Sequence, residues 1–458
     1  MMPNISILLY YYFLNYYKIF YTKLFFTYYF TGFILIKIPK TLDPEIILAK
    51  NVSVRFKSEY QTNPELKVRF IDPLTGSVWG YLVIDNTLRG RSIGGIRIAP
   101  NLTLTEISQL AYTMTLKNSA AGIPFGGGKA GLIADPLLLD KEPQLRVDLI
   151  SVFAQALFSF DNYICAPDIG TNENDTQQIY ELNSRLIGKA LHSRGGTGRK
   201  QQYGGIPIDE WSLTAHGLIA AITEFASSNN DINIKGANVV IQGYGNVGAA
   251  TATKLEKNGA KIVGASDINA GLWEPTGLNI KELNSIRNQV GGLNNYTGKI
   301  EKFFDSSQLN WLLEAPCDIL VPAARANVIT SRNADRIQCK IILQGSNAPI
   351  NKMTEYYLIK KRGIVSLSDF IVNSGGVIGC ALEIAMQTNE VLKKVVLAAD
   401  VRSYTENLIK KIISNNIREV INQINQKNKT GTFFREEAIY LAKKRLQNID
   451  FNYLTNNS

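Results

Sequence analysis

Apolar residues change their spacing near residue 205. Before that point, periods of two alternate with periods near 3.6. "SVWGYLVIDN" and "GGIRIAP" carry β-branched and aromatic residues between turn signals and read as strands. "TLTEISQLAYTMTLKNSAAG" repeats apolar residues at helical spacing, with Thr103 or Thr105 as cap and Gly122 just past its end. "RVDLISVFAQALFSF" reads as another helix, and "CAPDIGTNEND" as a loop between helices. From about Ile206 the rhythm becomes regular. Short, continuously apolar runs, "ANVVIQGYG", "KIVGASD", "CDILVPAA" and "KIILQGS", read as buried parallel strands. The segments "LTAHGLIAAITEFA" and "NVGAATATKLEKNGA" read as helices, and the tail from about Val377 is mostly helical. The pattern predicts two α/β domains with a cleft between them.

The front of the chain stands apart. Residues 1–36 are dense in Tyr, Phe, Leu and Ile, broken by Lys18 and Lys23 into two apolar pieces. Each piece is short for a membrane span, which takes about 20 residues. Residues 1–40 are therefore a hydrophobic extension outside the fold. The segment fits a membrane or interfacial anchor, a targeting segment, or translated sequence ahead of a later start.

The remainder is ordinary for a globular protein, with 45% hydrophobic and 19% charged residues. The formal charge of +10 is spread thinly, with no dense basic block, which argues against a nucleic-acid partner. The four cysteines, Cys165, Cys317, Cys339 and Cys380, form no CxxC pair. That spacing argues against structural zinc or a disulfide framework and fits a reducing, cytoplasmic setting. With only His192 and His216 present, no histidine-based metal site is expected, and proton transfer falls to Lys, Asp, Glu or Tyr.

"GYGNVG" follows a predicted strand and opens a predicted helix. In that setting it is a dinucleotide fingerprint. Gly243 permits the tight turn, Gly245 lets backbone approach a pyrophosphate, and Gly248 allows close helix–strand packing. Asn246 and Val247, between these glycines, begin the helix whose free N–H groups face the phosphates. Asp267, at the tip of the next strand, suits the adenine-ribose hydroxyls and would repel a 2′-phosphate. NAD is expected over NADP, which is not excluded.

"GIPFGGGKAGLIADP" sets Lys129 directly behind Gly126, Gly127 and Gly128. Glycines let backbone come close to a ligand, so Gly127 is assigned to the substrate site. A desolvated lysine there loses its preference for the charged form. Lys117, on the helix just upstream, is a second cation able to hold a carboxylate. Asp168 supplies an acid. Two lysines, an aspartate and a nicotinamide suit hydride removal from the Cα of an amino acid, followed by attack of water on the iminium product.

"GRSIGGIRIAP", "MTLKNSAAGIPFGGGKAGL", "APDIGTNENDTQQIY", "GYGNVG" and "NSGGV", in that order, resemble the glutamate/leucine/phenylalanine/valine dehydrogenases over roughly residues 41–450. The resemblance implies a substrate-binding and oligomerisation domain (41–205), a Rossmann NAD-binding domain (206–400) and C-terminal helices (401–458). It also implies a homo-oligomer. It casts Lys117 as α-carboxylate anchor, Lys129 as catalytic lysine and Asp168 as catalytic acid/base. Thr214 then stands near the nicotinamide, and Asn347 and Asn373 contact cofactor or substrate.

The matching side-chain pocket is Ile93, Ala166, Val377 and Cys380. Glutamate-specific members carry lysine at the first of these positions and serine at the last. Burying a carboxylate there without a partner costs several kcal/mol by order of magnitude. A branched-chain or aromatic amino acid is therefore the expected substrate, deaminated reversibly to the 2-oxo acid and ammonia. Glutamate is the alternative, with Arg91 or Arg97 reaching the pocket. A catalytically silent, NAD-binding scaffold is the alternative from another class. Ala130, Ser374, Gln344 and the pair Ala215-His216 depart from the family pattern, and His216 is expected to be a packed helix residue.

Overall fold

The computed structural model describes residues 28–31, 34–49, 64–187, 196–228, 232–427 and 433–447. Most of the apolar front segment lies outside them. Its described part is an antiparallel strand pair, Tyr28–Thr31 with Ile34–Lys37. Among the described residues no helix is long and apolar enough to cross a membrane.

The N-terminal half is built on a six-stranded mixed sheet. Its order is Asp43–Ala49, Leu66–Ile71, Val78–Asn86, Gly126–Ile133, Ser92–Ala99, Tyr163–Pro167. The first four strands are mutually antiparallel, and the last two join in parallel. One face packs on the helix Pro143–Leu157, where Phe70 meets Phe153 edge-on at 5.2 Å. Leu104–Ala120 covers the other. Thr103 caps that helix by accepting a hydrogen bond from the Glu106 amide, the T-x-x-E arrangement that satisfies orphan donors.

The C-terminal half is a seven-stranded sheet. Five strands are parallel, in the order Lys261–Ser266, Asn238–Gln242, Ile319–Pro322, Ile341–Leu343, Val365–Leu367. Ala270–Trp273 and Lys302–Asp305 extend one edge in antiparallel fashion. Strand order reverses on either side of Asn238–Gln242, so its carboxyl end is the switch point where doubly wound sheets bind ligands. The fold is thus the expected α/β pair, one half with Rossmann topology. A continuous apolar core spans both, uniting Ile93, Met114 and Ile164 with Leu218, Val239 and Ile378. The helix Phe434–Gln447 returns from the end of the chain to pack on Leu104–Ala120.

One local expectation is corrected. The run before Asp168 is a strand, Tyr163–Pro167, at the sheet edge, and its shortness hides it in the sequence. "GGGKAGLI" is a buried strand in the middle of its sheet, despite glycine's low strand propensity.

Candidate active site

Alternation along Ser92–Ala99 sends Ile93, Gly95 and Arg97 to one face. Gly95 has no room for a side chain, since a Cβ there would lie 2.6 Å from the Cβ of Asp168. Asp168 itself follows the edge strand in a turn pinned by Thr171, whose hydroxyl accepts from the Asp168 amide and donates to the Ile96 carbonyl. The Asp168 carboxylate pairs with Lys129 Nζ at 3.0 Å and with Arg97 Nε at 2.9 Å. Arg97 also reaches Glu106 at 3.1 Å.

Lys129 is only 2% exposed. Burial depresses its pKa, and the nearby Arg97 charge pushes the same way against the pull of Asp168. Burial alone would raise the Asp168 carboxyl, yet Lys129 and Arg97 hold it well below the usual carboxylate range. Lys117 sits in the last turn of its helix, 7% exposed. Burial and the like charge of Lys129 bring it down to about 8, opposed by Asp369 and Asp168. Lys117 Nζ donates to Asn347 Oδ1 at 3.1 Å, and Asn373 Nδ2 donates to the same oxygen at 3.2 Å. Lys117, Lys129, Asp168, Asn347 and Asn373 therefore converge, although they come from both halves of the chain.

The glycine turn at the switch point tests its fit to a dinucleotide. Gly243 has φ +95°, and a Cβ there would strike Ala324 N at 2.7 Å. A Cβ on Gly248 would lie 1.9 Å from the Gly243 carbonyl. Gly245 differs, because a Cβ there would meet nothing in the protein. No side chain caps the helix Asn246–Lys257 that starts beyond it. Free amides over open space are what a pyrophosphate requires. Val247 lies in the first turn. Thr214 is the second residue of the helix Leu213–Ser227, where its hydroxyl would lie 3.4 Å from a Cβ on Gly376. Asn373 Oδ1 is buried without a donor and is available to a bound group.

Three of the residues singled out in the sequence have further contacts within the fold. A Cβ on Gly127 would lie 2.1 Å from Thr115 N, so this glycine admits the helix Leu104–Ala120 and contacts no ligand with that face. The Asp267 carboxylate accepts from the amides of Asn269, Ala270 and Leu293 and so shapes its own turn. His216 is on its helix as expected, but in a polar cluster, 2.9 Å from Glu406 and 2.8 Å from Lys254 Nζ. Ile93, Ala166, Val377 and Cys380 are all buried. The cations considered for that pocket are engaged elsewhere, Arg91 with the Asp161 carbonyl and Arg97 with Asp168 and Glu106.

Sequence reasoning missed Arg97 as the partner of Asp168, although strand alternation from Ile93 points to it. It also missed Asp209, whose carboxylate hydrogen-bonds the Asn246 side chain beside the glycine turn. Nothing in the local pattern marks that loop residue.

Fold and site together define an oxidoreductase that works with a dinucleotide. The family model "Glutamate/Leucine/Phenylalanine/Valine dehydrogenase" matches residues 204–452, and "Glu/Leu/Phe/Val dehydrogenase, dimerisation domain" matches residues 66–185. The NADP-specific glutamate dehydrogenase of Saccharolobus shibatae is 35% identical over 325 residues, covering 70% of this chain and 74% of the relative. The catabolic NAD-specific glutamate dehydrogenase of Bacillus subtilis is 34% identical over 301 residues, covering 65% and 68%. Among solved structures, a hetero-hexameric glutamate dehydrogenase from Thermus thermophilus (Leu bound form) superposes with a TM-score of 0.70. It is 24% identical, over 90% of this chain and 89% of that one. Glutamate dehydrogenase from Plasmodium falciparum gives a TM-score of 0.71 at 21% identity, over 87% and 84%.

The chain belongs to the glutamate/leucine/phenylalanine/valine dehydrogenase family. It is an amino acid dehydrogenase using NAD or NADP.

Proposed function

We propose that this chain catalyses the reversible oxidative deamination of L-glutamate to 2-oxoglutarate and ammonia, as a homo-oligomer. The glutamate reading takes its support from relatives 34–35% identical whose names specify glutamate. The chemistry takes its support from one observation, the Lys129–Asp168 pair at 3.0 Å beside Lys117.

Lys117 holds the α-carboxylate of the amino acid as an ammonium ion. Gly243, Gly245, Asn246, Val247 and Gly248 hold the dinucleotide diphosphate, with Thr214 and Asn373 toward the nicotinamide. When bound, the dinucleotide supplies the hydride acceptor. Asp168 is ionised and accepts the proton that the substrate ammonium must lose before its Cα–H bond breaks. Lys129, with its depressed pKa, takes a proton from the water that attacks the substrate iminium carbon. Asp168 returns a proton to the departing ammonia. Positioned proton transfer of this kind contributes about 10²–10⁴-fold. Arg97 keeps Asp168 aimed at this work.

A second reading keeps the same chemistry and changes the side chain. Ile93 and Cys380 are buried, and the two arginines considered for the pocket, Arg91 and Arg97, are engaged elsewhere. That favours a branched-chain or aromatic substrate, which gains about 1.5–3 kcal/mol on burial. Steady-state rates across Glu, Leu, Val, Ile, Phe and Trp separate the two. At least tenfold preference for Glu is expected, and equal preference for Leu or Val overturns the glutamate reading. Ile93→Lys should raise kcat/KM for Glu if the pocket lacks its cation.

A further inference from the structure

Asp369 and Arg435 touch none of the reacting groups, yet the turn that receives Lys117 depends on them. The residue after Asn347 is Ala348, with φ +48°, a region that side chains disfavour. That strained turn is held from both sides. The Ala348 amide donates to Asp369 Oδ2 at 2.8 Å, and the Asn327 amide donates to the Ala348 carbonyl at 3.0 Å. The other Asp369 oxygen accepts from Arg435 Nη2 at 3.1 Å. Arg435 lies in the second position of the helix Phe434–Gln447. Its guanidinium also grips Glu355 and donates to Gln344 Oε1 at 3.1 Å. Glu355, Asp369 and Gln344 are buried.

Charge counting gives this cluster a direction. One guanidinium faces two carboxylates, and of the two it is Asp369 that acts on Lys117. The charged groups facing Lys117 are Lys129 on the adjoining strand, Asp168 after the edge strand, and Asp369 at the head of the short helix Asp369–Val372. Among them Asp369 gives the largest favourable interaction with the ammonium. The same last helix contacts the Lys117 helix directly, with Arg445 donating to the Ala120 carbonyl at its end.

We propose that Asp369 is a positioning residue for amino-acid binding. It holds the Asn347–Ala348 turn and provides the countercharge for Lys117, while Arg435 fixes Asp369 and makes the last helix part of the substrate site. The inference rests on Lys117 being the α-carboxylate anchor.

Asp369→Asn preserves shape and an acceptor for the Ala348 amide, and removes the charge together with the acceptor that faces Arg435. KM for the amino acid should rise about tenfold with kcat changed less than about threefold, and NADH affinity by fluorescence titration should be unchanged. Lys117 must be protonated to bind, and loses its proton as pH rises through about 8. Without Asp369 that loss comes earlier. The alkaline fall in kcat/KM for the amino acid should move down by about one pH unit. A purely structural role would lower the active fraction and leave that limb in place. Arg435→Lys should give a smaller shift the same way. If it does not fold, Asp369→Asn decides alone. Lys117→Ala is the control: if it leaves KM unchanged, the reading of Lys117 fails. If it raises KM while Asp369→Asn moves neither KM nor the pH limb, the present inference fails and that reading stands.

Discussion

Two glycine-rich stretches look alike on paper and behave oppositely in the fold. "GGGK" lies inside a sheet, and its glycines exclude side chains because protein atoms occupy the space. "GYGNVG" lies at a sheet end, and its middle glycine borders open space. A Cβ on Gly126, Gly127 or Gly128 would come within 1.8 Å, 2.1 Å and 2.8 Å of protein atoms, whereas one on Gly245 would touch none. Within the first set, Gly127 lets the helix Leu104–Ala120 come down onto its strand, and that helix carries Lys117. The second leaves room for a ligand. Glycine enrichment alone therefore does not identify a phosphate cradle, and the neighbouring atoms decide.

Substitution should separate the two. The largest effect is expected from Lys129→Ala, directly behind the first set. Steady-state deamination should fall by at least about a hundredfold. NADH titration should show affinity within about twofold of wild type. Retained turnover would remove Lys129 from the chemistry.

Gly127→Ala comes next. Its methyl would press on the Thr115 backbone, and overpacking of that sort costs about 1–3 kcal/mol or more. The midpoint of urea unfolding should drop accordingly. Gly245→Ala should show the reverse profile. NADH should bind at least about tenfold more weakly, about 1.4 kcal/mol, with the unfolding midpoint nearly unmoved. If Gly245→Ala destabilises as much as Gly127→Ala, the contrast between the two stretches collapses.

The contrast also marks where sequence reading reaches. The turn Gly243–Gly248 was legible because strand, glycines and helix are contiguous. Lys117, Lys129 and Asp168 were legible as candidates because buried-looking charges beside glycines demand a reason. Asp369 and Arg435 were not. They lie 66 residues apart and meet only when the last helix folds back, and each alone looks like an ordinary polar residue in a helix. The amide contacts of Asp267 were hidden for a related reason. A strand-end aspartate suits a ribose hydroxyl and a backbone turn equally well, and only the fold brings the Leu293 amide to it.

The sequence alone determined the α/β alternation, the place of the dinucleotide turn and the identity of the central charges. Those follow from periodicity and residue chemistry, which act over a few neighbours. Tertiary structure decided which glycines face protein and which face ligand. It also decided which cations stay free, and which carboxylate supports Lys117. These depend on distances between segments far apart in the chain, and inside a protein the worth of a charge is set by what lies within a few ångströms of it.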